Sequence, residues 1–282
     1  MQDSFTDYLA PIEMFSDRKI IKVSNDFALS SMNISEVSLN IFFALLSEIT
    51  MEDEMLPSFD VPIKEIELKI GKKLNRDRKK LDRIKGELEG DNIILNHSQT
   101  RIPLCKRCEI VNESNVLYLQ IEINPVLSNE LLELESKFTQ IRLDHFTSIK
   151  GFYAKKLYLF LKARKNMDHI RVNLDTLYVI LNIPKSYEIY SNFKKRVLLQ
   201  ALSQIRKLTD DLGDIHYNGD KRGSRAVKQL VFVIGTIKVS STRSSNNHKK
   251  KNTDEMDVWK DFPDDDLSND TELRYILPRK FM

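Results

Sequence analysis

The residues best equipped for chemistry lie in one run, Asn192 to Leu208, which reads NFKKRVLLQALSQIRKL. At roughly 100° per residue, Phe193, Val197, Ala201, Ile205 and Leu208 share one side, widened by Leu198 and Leu202. The other side collects Asn192, Lys195, Arg196, Gln200, Ser203 and Lys207, with Lys194 beside them. Long cations and amides in this pattern suit a duplex. Arginine can read a guanine edge through two hydrogen bonds and glutamine an adenine edge, while lysine and serine suit phosphate oxygens. The same face on an ordinary surface helix would simply meet water, so the neighbouring elements decide.

Other chemistries are poorly supplied. The only cysteines, Cys105 and Cys108, make half of a zinc site, and no second half has a common ligand spacing. On a regular strand, residues three apart point to opposite faces, so these two thiols are expected to share neither a metal nor a disulfide. The five histidines, His97, His145, His169, His216 and His248, never form the His-x-His of a nicking relaxase. Nor do the eight glycines build a phosphate loop ending in Gly-Lys-Ser or Gly-Lys-Thr. Glu65 and Glu67, and the run Asp264 to Asp266, lack a convergent histidine or basic partner and read as solvated surface. No catalytic residue, metal or cofactor is expected, and the chain is read as a non-enzyme.

The elements around the basic run repeat. Ile34, Val37, Ile41, Leu45, Leu46 and Ile49 predict a core helix over 34–49, capped by Asn33 or Ser35. VPIKEIELKI (61–70) predicts a helix opened by Pro62 and closed by Gly71. A third helix, 74–88, buries Leu74, Leu81, Ile84 and Leu88 and presents Arg76, Lys79 and Arg83. Short strands are expected at 93–95, 108–111 and 117–123. Asn124-Pro125 opens a helix to about 135, and 138–143 reads as a strand. The order then recurs: amphipathic helix 150–164, strand 170–172, helix 173–181, the basic helix, and strands 215–218 and 227–234. Between those last strands, Gly219 to Arg225 is a glycine-hinged tip carrying Lys221, Arg222 and Arg225. This is the order of a winged helix-turn-helix, met twice at a separation of roughly 110–120 residues.

The expected fold is therefore α+β: tandem winged helix-turn-helix domains related by pseudo-duplication, with a disordered C-terminal tail. The expected divisions are a lead-in over 1–33, a first winged-helix domain over 34–124, a second over 125–238, and a polar tail over 239–282. A length of 282 residues with 41% hydrophobic content supports two cores. A net charge of +3 is mild, so an anionic partner must meet local clusters and not the whole surface. No cationic start precedes an apolar run, and no stretch reaches about eighteen apolar residues, which predicts a soluble, cytoplasmic protein without a membrane partner. Trp259 and the closing TELRYILPRKFM form a candidate partner-binding segment, an unused terminus being the alternative. With two basic helices in matching positions, each followed by strands, the chain is expected to bind double-stranded DNA. Two helices in successive major grooves would centre their half-sites about 10 bp apart.

FTQIRL (138–143), KGFYAKKLYLFLK (150–162), and the run Tyr187, Tyr190, Phe193, Lys194, Lys195, Arg196, Val197, Leu198, Ala201 carry a resemblance. Over most of 23–238 the chain resembles the iteron-binding replication initiator (Rep) proteins of bacterial plasmids, with a weaker match at 36–49. The resemblance implies a protein that binds tandem direct repeats at a plasmid origin and helps melt adjacent A+T-rich DNA. It also implies recruitment of the host replication initiator and replicative helicase. Homodimers in equilibrium with monomers would repress the protein's own gene at an inverted repeat. By motif position, the helix around 194–203 makes the main base contacts and the first-domain helix the supporting ones. Two departures stand out: Gln200 replaces a proline of many relatives, which suggests a helix that starts earlier or runs straighter, and Ser224 is an extra residue in the wing. The alternatives are a plasmid- or phage-borne transcriptional repressor, and an adaptor whose basic helices contact proteins.

Overall fold

The computed structural model describes residues 11–50, 52–74, 77–96, 98, 100–132, 134, 136–220 and 226–235. The first half opens on β1 (Ile20–Ser24), inside the stretch expected as a lead-in. Ser24 then caps α1 (Asn25–Leu29) by accepting the Phe27 N–H at 3.0 Å. A two-residue strand, β2 (Ser31–Met32), leads to Ser35, whose hydroxyl caps α2 (Glu36–Leu46). From Ser38 to Leu46 every residue of α2 is buried, so it is wrapped on all sides.

The periodicity predicts a helix over 61–70, but Val61 and Pro62 instead close β3 (Ser58–Pro62), and α3 spans Ile63–Ile70. Proline, lacking an N–H, fits both the last position of a strand and the cap of the helix that follows. Gly71 ends α3 with φ +65°, a conformation a side chain would strain. The next helix, α4 (Arg78–Glu89), starts later than Leu74 because Asp77 supplies the cap, its carboxylate accepting the Lys79 N–H at 3.1 Å. Leu74 is buried in the preceding turn. Short strands β4 (Ile93–Ile94) and β5 (Arg101–Ile102) join β2 in one sheet. A long hairpin follows, β6 (Cys105–Glu113) and β7 (Val116–Ile123), turned by Ser114 and Asn115 at φ +48° and +67°.

That hairpin overturns the opposite-face placement expected for the two cysteines, which are both free thiols. The register passes from Cys105↔Ile123 to Arg107↔Glu122 and then Cys108↔Ile121, so β6 carries a bulge between the thiols. One extra residue resets the alternation and turns both side chains to the buried face. Burial pushes the Cys108 thiol up to about 12 and the Cys105 thiol well above its ordinary value, so both stay protonated and inert.

The second half starts with a 3-10 turn (Pro125–Leu127) and α5 (Ser128–Leu131). The helix expected to about 135 stops at Leu131, with Leu132 and Leu134 buried beyond it. Then come β8 (Phe138–Arg142), α6 (Leu143–Ser148), α7 (Phe152–Ala163), β9 (His169–Asn173) and α8 (Leu174–Ile180). The basic run forms α9 (Tyr190–Phe193), a π-turn (Lys194–Leu198) and α10 (Leu199–Leu208). The strands β10 (Ile215–Asp220) and β11 (Gln229–Ile234) close the half.

The duplication is visible in the sheets. One has the order β3-β7-β6 and the other β9-β11-β10, so in each the strand before the helix pair joins the last strand of the wing. Even β1-α1-α2 has its counterpart in β8-α6-α7, roughly 110–120 residues later. These opening strands pair with each other, antiparallel, from Ile20↔Arg142 to Ser24↔Phe138. Beside that ribbon, Phe43 of α2 stacks on Phe146 of α6 with ring centroids 4.2 Å apart. Lys156 of α7 crosses between the halves, its Nζ donating to Ser30 O at 2.6 Å and Ala28 O at 3.3 Å, carbonyls at the end of α1. Its neighbour Lys155 donates to Phe146 O. Desolvation brings Lys156 down to about 7 and Lys155 to about 8. The halves share one continuous apolar core.

Candidate nucleic-acid interface

From Tyr190 to Leu208 the backbone stays helical without a break. In the π-turn the Leu199 N–H bonds to Lys194 O, five residues back, which inserts one residue into the helical repeat. Val197 and Leu198 face the core together, one turn before Ala201 and Leu202. Phe193 and Ile205 complete the buried stripe, and Leu208 packs half-buried at its end. The helix thus starts well ahead of Gln200, and it is widened rather than straight just before it.

Opposite the stripe, Lys195, Arg196, Gln200, Ser203 and Lys207 are exposed, and Asn192 and Lys194 are half-buried. No carboxylate occurs from Tyr190 to Leu208. Aromatic rings and not acids steady the cations. The Arg196 guanidinium lies 5.4 Å from the Tyr187 ring centroid, and Lys194 Nζ lies 6.0 Å from that of Tyr217. A guanidinium held by its face keeps its N–H groups in plane for an acceptor. Two further polar residues of α10 are engaged within the protein: Gln204 accepts from Lys150 N–H at 2.7 Å, and Arg206 Nε donates to Ile215 O at 2.7 Å. They brace the helix against the start of α7 and against β10.

In the first half, α4 buries Leu81, Ile84 and Leu88 and exposes Lys79 and Arg83, while Arg76 lies outside the described residues. Arg83 Nε bonds to Glu87 Oε1 at 2.7 Å, one helical turn on. Burial alone would raise the Glu87 carboxyl. Hydrogen bonds from the hydroxyls of Ser35 and Ser38, the Ser35 N–H and Arg83 outweigh it and hold the group below the usual carboxylate range. Arg78 and Lys80, absent from the expected site, are exposed in the first turn beside Lys79. Three cations in that turn oppose the helix macrodipole and outnumber the Asp77 carboxylate at its cap, an arrangement that suits an anion brought in from outside. The unbroken RDRKK at 76–80 carries that signal in the sequence.

The hairpins differ as well. At the first, Glu113, Ser114 and Asn115 form a tight turn without cations. At the second, Lys221, Arg222 and Arg225 lie outside the described residues. Its base is seated on the helix: a Cβ on Gly219 would meet Val227 at 3.0 Å and the Tyr190 hydroxyl at 3.1 Å. Among the described residues no three His, Cys, Asp or Glu side chains gather as metal ligands, and no helix is long and apolar enough to cross a membrane.

A family model described as initiator replication protein, WH1, matches residues 20–162, and one described as initiator Rep protein, WH2, matches residues 173–234. Among solved structures, the chain is similar to a crystal structure of Pi initiator protein in complex with iteron DNA. The TM-score is 0.60 at 15% identity, covering 78% of this chain and 99% of that one. At that identity the likeness speaks for the fold.

Proposed function

The chain belongs to the initiator replication protein family, with its two winged-helix domains in order, and from that premise we propose how it engages DNA. It initiates replication by binding directly repeated origin DNA of a plasmid. The helix of residues 190–208 enters the major groove and reads bases through Arg196 and Gln200, with Asn192, Lys194, Lys195, Ser203 and Lys207 on the flanking backbone. The first-domain helix grips phosphates through Lys79, with Arg76 and Arg83 beside it. Lys221, Arg222 and Arg225 of the second wing lie along the backbone or minor groove. The observation that carries this reading is the acid-free, solvent-facing cationic side of a helix whose opposite side is fully buried.

The family resemblance supports the wider role. Bound to its repeats, the protein recruits the host initiator and replicative helicase, and as a dimer it represses its own gene, acting in the cytoplasm of a bacterial host. Footprinting the DNA that flanks the gene tests the reading. Phased direct repeats, each protected over two half-sites centred about 10 bp apart, are expected. A lone inverted repeat would indicate a repressor, and no footprint an adaptor.

A further inference from the structure

The cationic side of the helix 190–208 is not wholly polar. Lys195, Arg196, Leu199, Gln200, Ser203 and Lys207 are all exposed, and among them Leu199 is the one apolar side chain, with 42% of its surface open. No other large apolar side chain between Tyr190 and Leu208 is exposed. Leu199 shares the middle rung of this face with Gln200, one turn after Lys195 and Arg196 and one turn before Ser203. The matching helix of the first half, α4, offers nothing similar: its exposed side chains are Arg78, Lys79, Lys80, Asp82 and Arg83. A lone exposed leucine on a face that meets water would need no explanation. On a face that meets base edges it becomes a selector.

On the reading proposed above, on which this inference rests, the face enters the major groove, and Leu199 meets base edges together with Gln200. The groups presented there are N7 and O6 of guanine, N7 and the amino group of adenine, the amino group of cytosine, and O4 and the C5 methyl of thymine. Of these only the methyl is apolar. A leucine pressed on any of the others strips it of water and gives no hydrogen bond in return, which costs affinity. Against the methyl, two apolar surfaces leave water together. We infer that Leu199 is a specificity-determining residue, which takes a thymine methyl group within the repeat and rejects the other bases at that position. Its selectivity differs in kind from that of Arg196 and Gln200, because it works through exclusion as much as through attraction.

Replacing thymine by deoxyuridine removes that methyl and keeps the pairing edge. Duplexes carrying one origin repeat, with each thymine replaced in turn, are titrated with the full-length protein. At the contacted thymine, within the half-site of the second domain, affinity should fall roughly 3- to 5-fold. In Leu199→Ala, with circular dichroism confirming the fold, thymine and uracil should bind alike at that position, while the base preference read by Arg196 stays in place. Leu199→Met, apolar and of similar volume, should keep the discrimination, and Leu199→Gln should lose it. A flat uracil profile in a parent that binds the repeat specifically would overturn the inference and leave the groove reading standing. So would uracil sensitivity that survives unchanged in Leu199→Ala, or a loss in that variant equal on thymine and uracil DNA, which would give the leucine a packing role only. Failure of the parent to prefer the repeat over unrelated DNA would instead remove the groove reading, and the role of Leu199 with it.

Discussion

The helices α4 and α9–α10 hold matching places in the two halves, yet they present their cations differently. Arg83 of α4 is neutralised by Glu87, which is itself fixed by Ser35 and Ser38, and Lys85 has Glu89 one turn on. The second helix has no acid along its length and steadies Arg196 on Tyr187. A paired arginine can still lie near a phosphate, but reading a base would require breaking its ion pair. An arginine stacked on an aromatic ring meets a base edge without that cost. Under the proposed function, the difference matches base reading by the second half and phosphate gripping by the first. The same asymmetry appears in the hairpins, where a cation-free tight turn in one half stands against GDKRGSR in the other.

The comparison breaks most visibly at Arg196. Arg196→Ala should cost about 1–3 kcal/mol, roughly 5- to 150-fold in affinity, and relax preference at one base position. Binding measured across single-base variants of the repeat checks this, and an unchanged preference profile would remove the helix from the groove. Lys79→Ala should weaken binding on every sequence alike and lower the slope of log K against log salt by about 1. The parent slope in this variant would show that Lys79 meets no phosphate. Arg83→Ala should have a smaller effect than either, because its charge is already answered by Glu87; a loss as large as that of Arg196→Ala would erase the distinction between the helices.

The joint has its own signature, in stability and not in DNA contact. Lys156 titrates near 7 in the folded protein against an ordinary value of 10.5, so above pH 7 the unfolded chain binds more protons and stability rises with pH. Lys155, lowered to about 8, adds to the same trend. Beyond about pH 9 the cysteines oppose it, since Cys108 ionises near 12 when folded against 9.0 when unfolded. Urea unfolding should therefore give higher stability at pH 9 than at pH 7, with a smaller difference in Lys156→Met. An identical difference in the variant would assign the rise to other groups.

What was legible in the sequence follows from how local its cause is. The helix of 190–208 shows its buried stripe in one strong period, and Pro62 and Gly71 mark helix ends through local backbone chemistry. The missed features depend on partners distant in sequence or on one-residue insertions. β1 shows in the sequence only as a short apolar alternation over 19–23, and its partner β8 lies more than a hundred residues later. The bulge between Cys105 and Cys108 reverses a face assignment that strict alternation would give. The π-turn is invisible to a fixed 100° period, which already places Val197, Leu198, Ala201 and Leu202 on the buried side. Of the candidate interface, Arg78 and Lys80 were legible as charge but not as a first turn, because the cap at Asp77 fixes where that turn begins.

The division of labour is tested most directly by photo-crosslinking, with a benzophenone side chain placed singly at position 200 or at position 79 of the full-length protein bound to its repeat DNA. Attachment to bases from position 200 and to the sugar-phosphate backbone from position 79 is the expected pair of results. Base attachment from position 79 with none from position 200 would contradict the account and exchange the roles of the two halves.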